Sequence, residues 1–343
     1  MARVTHISVQ NIRVHEMYDI AILPSTTVIT GANGSGKTSL IEALYIALQG
    51  SSFKGGDNDV LRTGAPWYRI DVTFEDESKR TVKFDPSRIS GKKKFIINNT
   101  SQYRMLPRFK YPVVLFEPDD LRLLNGSPSR RREYFDRFIS QIDPHYSIAL
   151  HKYERALKQR NNLLKRPTVS EDELFAWDVV LSEHGAYIVK KRLDYITLLY
   201  QKINTVYNKI ADSRDTVSIA YPHTNLTKQK LLADLHTANR RDMATGFTSV
   251  GPHRHDILFS YNTSPALAVA SRGEVRSIML ALKFIEVDIL ENAFGSKPII
   301  LLDDVFSELD ATRQKHLVNN FKDNQVIITS ATSVSKNSHE IKR

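Results

Sequence analysis

The segment "GANGSGKTS" at residues 31–39 constrains this chain more than any other. It matches the pattern G-x-x-x-x-G-K-[ST], in which glycines let backbone N–H groups curl around phosphate. Its neighbours fit the pattern too. Val28, Ile29 and Thr30 form a β-rich run that ends at Gly31. After Lys37 the residues Leu40, Ile41, Leu44, Tyr45 and Leu48 recur at spacings of three and four, and Gly50 stops the run. A glycine loop between a strand and a helix start is an anion site, because the helix N-terminus adds partial positive charge. The expected nucleotide cradle is therefore Gly31, Ala32, Asn33, Gly34, Ser35, Gly36, Lys37, Thr38 and Ser39. Within it Lys37 would reach the β- and γ-phosphates of ATP, and Thr38 would place its hydroxyl on Mg²⁺. A chance glycine loop would lack the flanking strand and helix.

A second segment, "IILLDDVFSELD" at 299–310, runs four apolar residues into two acids. A buried strand ending in a carboxylate is how phosphate-loop ATPases hold Mg²⁺, which assigns Asp303 as metal ligand. The adjacent Asp304 is the candidate catalytic base, facing the water that attacks the γ-phosphate, where a Glu is more usual. Two acids at a strand end can also simply cap a turn. Lys37 and Asp303 lie 266 residues apart. Ordinary phosphate-loop enzymes and transporter ATPase subunits keep these motifs closer, so the spacing points to an ATPase head split by an insertion.

The stretch "SRGEVRSIMLALKF" at 271–284 resembles the signature motif of ABC-type and SMC-type ATPases. It places a Ser, a Gly and an acid at the start of a long helix, 32 residues before Asp303. Exposed N–H groups and a hydroxyl at a helix start are good phosphate donors. The resemblance implies that Ser271 and Gly273 touch the γ-phosphate held by a second subunit, which makes ATP the glue of a homodimer.

The sequence between these motifs supplies the insertion. Strand-like pieces, "YRIDVTFEDES" and "KRTVKFD", follow the first helix. Lys92 to Lys94 precede "FIINN" and form either a charged hairpin edge or a DNA contact. From about Ser129 the pattern is helical: Tyr146, Leu150, Tyr153, Leu157, Arg160 and Leu164 follow a 4-3-4-3-4 spacing, with Pro167 ending the run. A capping box, Ser170 to Glu173, starts the next helix. There Val189, Leu193, Ile196, Tyr200, Ile203, Tyr207 and Ile210 repeat as a heptad seam, read as core packing of an antiparallel hairpin. A helix is expected from Glu274 to about Asn292, then strands "PIILL" and "QVIITS", then a polar, frayed tail. The expected fold is α/β: an ABC-type ATPase head with a phosphate loop, split by a helical second lobe. Residues 1–126 and 246–343 would form the head, and 127–245 the lobe.

The chain has 48 basic and 38 acidic residues, a net charge of +10. That surplus favours an anionic partner, with a merely solvated basic surface as the alternative. Three clusters could contact DNA phosphates without reading bases: Arg130, Arg131 and Arg132; Lys190, Lys191 and Arg192; Arg240 and Arg241. For each, a solvated helix face is the other reading. The absence of cysteine excludes disulfides and cysteine zinc sites. No run approaches the roughly 18 apolar residues of a membrane span. The strand-like N-terminus does not read as a secretory signal, so a cytoplasmic protein is expected.

Several blocks together resemble the bacterial RecF proteins: "ALQGSSFKGGDNDVLRTGA" at 47–65, "VVLFEPDDLRLLNGSPSRRREYFD" at 113–136, "GPHRHDI" at 251–257 and "LLDDVFSELD". The resemblance covers roughly residues 4 to 330, and the block at 113–136 is its most specific part. Departures are Glu274, where the family more often shows Gln, and Glu117 within "FEPDDL". The stretch around 325–335 lacks the switch His of transporters. The resemblance implies an ATP-driven dimer that binds single- and double-stranded DNA at gaps or junctions. It also implies work with RecO and RecR in loading RecA, a link to SOS induction, and slow, DNA-stimulated ATP hydrolysis. The two His of "GPHRHDI" have no evident third ligand, so a structural contact between lobes is preferred to a metal site.

Two other classes remain open on sequence grounds. One is a transporter's ATPase subunit, disfavoured by the motif spacing and by Asp304. The other is a DNA-binding scaffold that binds ATP as a switch with negligible hydrolysis. A nuclease fusion is disfavoured, since no acidic cluster remains beyond the two ATPase acids.

Overall fold

The computed structural model describes residues 3–166, 168–223, 226–331 and 338–341. Its strands are β1 (Val4–Ile12), β2 (His15–Ala21), β3 (Thr26–Thr30), β4 (Tyr68–Phe74), β5 (Lys79–Phe84), β6 (Lys93–Ile97), β7 (Thr100–Gln102), β8 (Val113–Phe116), β9 (Val217–Ala220), β10 (Leu258–Tyr261), β11 (Ser264–Pro265), β12 (Ile299–Asp303), β13 (Val326–Ser330) and β14 (Ser338–Glu340). Its helices are α1 (Lys37–Gln49), α2 (Asp57–Val60), α3 (Pro128–Ile142), α4 (Pro144–Leu164), α5 (Glu171–Ala211), α6 (Lys228–Thr245), α7 (Ala266–Val269), α8 (Arg272–Phe294) and α9 (Ala311–Asn320). Two compact units result: Met1–Asp119 with Glu286–Arg343, and Asp120–Ile285.

The first unit contains two sheets. One is parallel, in the order β14-β3-β13-β12-β8. Its strands β8, β12 and β13 are buried at every described position, the continuous apolar run of a sheet covered on both faces. The other is antiparallel, in the order β2-β1-β4-β5-β6-β7. There burial alternates: Val9, Ile70, Val82 and Phe95 lie in register on the core face, and Gln10, Arg69, Lys83 and Lys94 lie in register on the opposite face. Helix α1 packs against strands of both sheets. It is therefore buried all round from Ser39 to Gln49, rather than along the single stripe its spacing suggests. Each buried Leu or Ile there contributes about 1.5–3 kcal/mol, which anchors the loop at its N-terminus. The buried Gln325 amide joins the sheets, accepting from the Val4 N–H at 2.8 Å and donating to the Leu23 carbonyl at 2.8 Å.

The tail departs from expectation. Instead of fraying, Ser338–Glu340 pairs in parallel with β3, and Ile341 is buried with its N–H on the Thr30 carbonyl. An open edge of β3 would expose unpaired backbone groups, and the tail satisfies them. Residues 332–337 and 342–343 of the tail lie outside the described residues, as does Pro167.

The second unit is mainly helical. Ser127, Asp143 and Ser170 cap α3, α4 and α5, and Ser170 with Glu173 forms the expected capping box. Helices α4 and α5 run antiparallel, since Arg160 meets Asp178 while Tyr146 meets Arg192. The α5 seam shifts by one position in two places: Arg192 and Leu199 are buried where Leu193 and Tyr200 were expected. The seam returns to the expected positions at Ile196, Ile203, Tyr207 and Ile210, so the shifts are local, and Arg192 is drawn inward by its pair with Asp136. Gly185 lets the neighbouring elements close in, because a Cβ there would meet Leu231 Cδ2 at 2.7 Å.

Arg160 is fully buried and tied to Asp178, Asp242, Asn239 and Thr248 at 2.6–2.9 Å. These partners come from α5, α6 and the loop after α6, and Arg160 ties them to α4. The chain from 246 to 285 accordingly belongs to this unit, with β10 pairing to β9, whereas the sequence pattern had assigned everything from 246 onward to the head. Local α/β character does not reveal which unit a strand joins. The "GPHRHDI" block also lies within this unit: Tyr153 donates to His253 Nδ1 at 2.7 Å, and the His253 Nε2–H donates to the Thr248 carbonyl at 3.0 Å. It braces the helical unit internally rather than joining two lobes.

Candidate functional site

The site lies in the first unit, beyond the C-terminal ends of the parallel strands, where open α/β sheets place ligands. Strand β3 delivers the glycine loop and α1 departs from it. Gly36 has φ +98°, in the left-handed region that favours glycine. Any Cβ at 36 would also lie 2.2 Å from His15 Nε2. The His15 Nε2–H donates to the Gly36 carbonyl at 3.0 Å; burial lowers the His15 pKa, and that hydrogen bond partly offsets it. Lys37 is buried, and its Nζ donates to the carbonyls of Gly31 at 2.8 Å and Ala32 at 3.2 Å. The lysine thus lies along the loop's own backbone.

The acids of β12 meet this loop. Thr38 Oγ1 donates to Asp303 Oδ1 at 2.8 Å and Oδ2 at 2.9 Å, although the two residues are 265 positions apart. Strand β13 lies between β3 and β12, and its Thr329 donates to Asp303 Oδ1 at 2.9 Å. Lys54 Nζ approaches Asp303 Oδ2 at 3.5 Å. At Asp304 the backbone is left-handed, φ +54°, a conformation Asp tolerates better than most residues, and its N–H donates to Thr329 Oγ1 at 2.9 Å. Burial raises the Asp304 pKa; Lys37 counters this and Asp303 reinforces it. A carboxylate made more basic in this way is a better proton acceptor.

The donors present fit a nucleotide with a divalent cation. Ser35 Oγ is buried without a hydrogen-bond partner among the described residues, inside a loop whose backbone is shaped for oxygen ligands. Thr38 and Asp303 supply hard oxygen ligands side by side, the set Mg²⁺ takes together with phosphates. Lys54, Thr329 and His15 escaped the sequence reading. Thr329 ends the strand read as "QVIITS", and Lys54 stands in the block after the first helix; either could have been suspected from those positions. His15 carries no local signal.

Ser271 and Gly273 lie in the second unit, at the exposed start of α8. Ser271 accepts from the Glu274 N–H at 3.3 Å, and Glu274 accepts from the Ser271 N–H at 2.6 Å. This is a reciprocal capping box, and it gives Glu274 a local role that its S-x-x-E spacing could have revealed.

The basic clusters divide. Arg131 is buried on Asp256 at 2.7 and 2.8 Å, and Arg192 is buried on Asp136 at 2.9 and 2.7 Å. Neither side chain is presented to a phosphate backbone. Arg132 donates to the His255 carbonyl at 2.7 Å, and Lys191 pairs with Asp143 at 2.9 Å. Arg130 is half-buried; Lys190, Arg240 and Arg241 are exposed. Lys93, in the other basic run, pairs with Asp57. Among the described residues no cluster of His, Asp and Glu forms a separate metal centre, and no helix is long and apolar enough to cross a membrane.

Comparison with known proteins gives the family and the fold. Residues 26–330 match the family model described as "AAA domain, putative AbiEii toxin, Type IV TA system". The DNA replication and repair protein RecF of Agathobacter rectalis is 34% identical over 329 residues, 94% of this chain and 90% of that protein. The protein of the same name from Chloroflexus aurantiacus is 34% identical over 370 residues, 97% of this chain and 94% of its own length. A solved structure described as the recombination mediator protein RecF-ATP in the RecFOR pathway superposes with a TM-score of 0.87. It is 28% identical and covers 99% of this chain and 95% of that one. The Smc head domain of Pyrococcus furiosus, at 16% identity over 97% of this chain and 90% of that one, shares the fold with a TM-score of 0.51.

Proposed function

The chain belongs to the RecF family of DNA replication and repair proteins, and from that premise we propose that it is an ATP-switched dimer acting on DNA at gaps and junctions between single and double strands. Family membership sets aside the transporter-subunit reading. One observation carries the nucleotide half of the proposal: the Thr38 hydroxyl and the Asp303 carboxylate converge beside Lys37. Gly31 to Ser39 would cradle the phosphates of ATP, with Lys37 turning from its backbone carbonyls to the β- and γ-phosphates. Thr38 and Asp303 would hold Mg²⁺, which when bound offsets phosphate charge. Asp304 would accept the proton of the attacking water, and its raised pKa suits that task.

Ser271 and Gly273 of one subunit would complete the γ-phosphate contacts of the other, so that hydrolysis removes a shared contact and loosens the pair. The net charge of +10 favours phosphate-backbone binding, which is indifferent to base sequence and sensitive to salt. RecR and RecO are the proposed partners, with RecA loading and SOS induction as the downstream roles, all in the cytoplasm.

Sedimentation of the protein with and without ATP and gapped DNA tests this reading. ATP should convert monomer to dimer, and the dimer should co-sediment with gapped DNA at low salt. A sedimentation profile unchanged by either addition overturns it.

A further inference from the structure

The antiparallel sheet of the first unit carries a cleft of about 310 Å³ on its outward face. Its position follows from strand register. Arg69, Lys83 and Lys94 stand side by side on β4, β5 and β6, and Trp67, Asp85 and Lys92 continue the same face beyond the strand ends. Adjacent strands lie about 4.8 Å apart, so the cations of one row form a closely spaced ladder. Arg69 is occupied by Asp71, and Arg88, which also lines the cleft, by Asp85. Lys83, Lys92 and Lys94 form no ion pair among the described residues. Trp67 remains 41% exposed and stacks on no other ring among them.

An exposed indole at the mouth of a lysine-rimmed cleft matches one ligand chemistry: a flat aromatic group joined to phosphates. We propose that this cleft binds a segment of single-stranded DNA, with a base on Trp67 and adjoining phosphates on Lys83, Lys92 and Lys94. The proposal rests on the reading of the chain as a DNA-binding protein and adds where and in what form the strand is held. Duplex bases are stacked on one another and cannot offer a face to Trp67, whereas unpaired bases can. A strand needs both the aromatic platform and the cation row, which is how sequence-tolerant single-strand sites are built. An acidic protein segment would use the lysines and leave the indole without a partner.

The chain has two tryptophans, Trp67 and Trp177. Full-length protein carrying Trp177→Phe therefore reports from Trp67 alone. Oligothymidylate should quench its fluorescence saturably, while a duplex of equal length or thymidine monophosphate at equal concentration should quench it little. Trp67→Ala should weaken oligothymidylate binding about tenfold, as expected for losing one stacked base. Lys83→Glu with Lys94→Glu should lower the log–log salt slope by roughly 1.4, two single-strand phosphate contacts. These substitutions lie on the surface, and an unchanged thermal midpoint will separate lost binding from lost folding.

Strong oligothymidylate binding with unquenched Trp67 and unaffected variants overturns the cleft while leaving DNA binding elsewhere intact. Equal quenching by thymidine monophosphate, or equal displacement by polyglutamate, also overturns it, pointing to a mononucleotide pocket or an acidic-protein site. Absence of any DNA binding by the parent protein overturns both this inference and the function it rests on.

Discussion

The Thr38 hydroxyl donates to both oxygens of Asp303, at 2.8 and 2.9 Å, and so joins the glycine loop to the end of the acidic strand. Thr329 and Lys54 give that carboxylate further polar contacts. The pair is thus placed by the first turn of α1 and the end of β12 before any nucleotide arrives, which lowers the ordering cost of binding.

Lys37→Met should abolish ATP binding and leave the fold intact. The ammonium donates to loop carbonyls, and Met matches the buried stem without the charge. Equilibrium binding of a fluorescent ATP analogue with Mg²⁺ is the measurement, and affinity equal to the parent protein's would refute the role.

Asp304→Asn should bind ATP normally and hydrolyse it about 10²–10⁴-fold more slowly, the usual range for losing a general base. Single-turnover hydrolysis measures it. Turnover equal to the parent's would move the base elsewhere, and a parent with negligible turnover would favour a binding switch.

Ser271→Arg should leave ATP binding near normal while preventing ATP-driven dimerisation. Losing the α8 cap costs about 1 kcal/mol, too little to unfold the unit. Mixing this variant with Lys37→Met should restore partial pairing. One composite site then joins the intact loop of the first protein to the intact signature of the second. Analytical ultracentrifugation decides: normal pairing by Ser271→Arg alone, with no gain on mixing, would exclude the shared site.

Arg160→Met should destabilise the protein by about 3–5 kcal/mol, because it leaves Asp178 and Asp242 buried without their cation. Adding Asp178→Leu should recover part of the loss, since an apolar replacement removes a stranded charge. Urea unfolding monitors both variants. A loss below 1 kcal/mol for Arg160→Met would show that the network carries little of the fold's stability.

Acid should loosen the helical unit. Burial lowers the His253 pKa to about 4 and the His255 pKa to about 3. Arg254 and Arg132 also disfavour the charged form of His253, and stacked His223 and Arg192 that of His255. The unfolded chain binds these protons first, near the ordinary value of 6.5. The contribution is therefore complete above pH 6.5 and is lost as pH falls toward 4 and then 3. The loss is at most about 1.4 kcal/mol per pH unit for each histidine. Unfolding free energies between pH 7 and 4.5 test it, and His253→Asn should flatten the profile. An identical slope in that variant would assign the acid sensitivity to other groups.

What the sequence determined here is what short-range geometry determines. A glycine loop between strand and helix, two acids closing an apolar strand, and capping boxes each depend on a few adjacent residues. Their structures follow from backbone conformation and local hydrogen bonds. The helical pattern of α4 and α5 was legible for the same reason. Which residues of a helix face inward was legible only approximately, because a heptad reading ignores the polar partners that neighbouring elements offer. Arg192 consequently read as a DNA contact, and its partner Asp136 places it in the interior.

Tertiary structure decided everything that depends on distant chain segments meeting. Thr329 and Lys54 reach Asp303 because β13 inserts between β3 and β12 and the chain after α1 returns to the sheet end. The tail became a strand because β3 had an open edge. The unit boundary moved because Arg160, on α4, gathers partners from two other helices and a loop. Arg69, Lys83 and Lys94 form one row because antiparallel register aligns them. Sequence spacing carries no trace of such pairings. They arise from burial and hydrogen-bond satisfaction over the whole chain, where alternatives alike in local pattern differ by which polar groups find a partner.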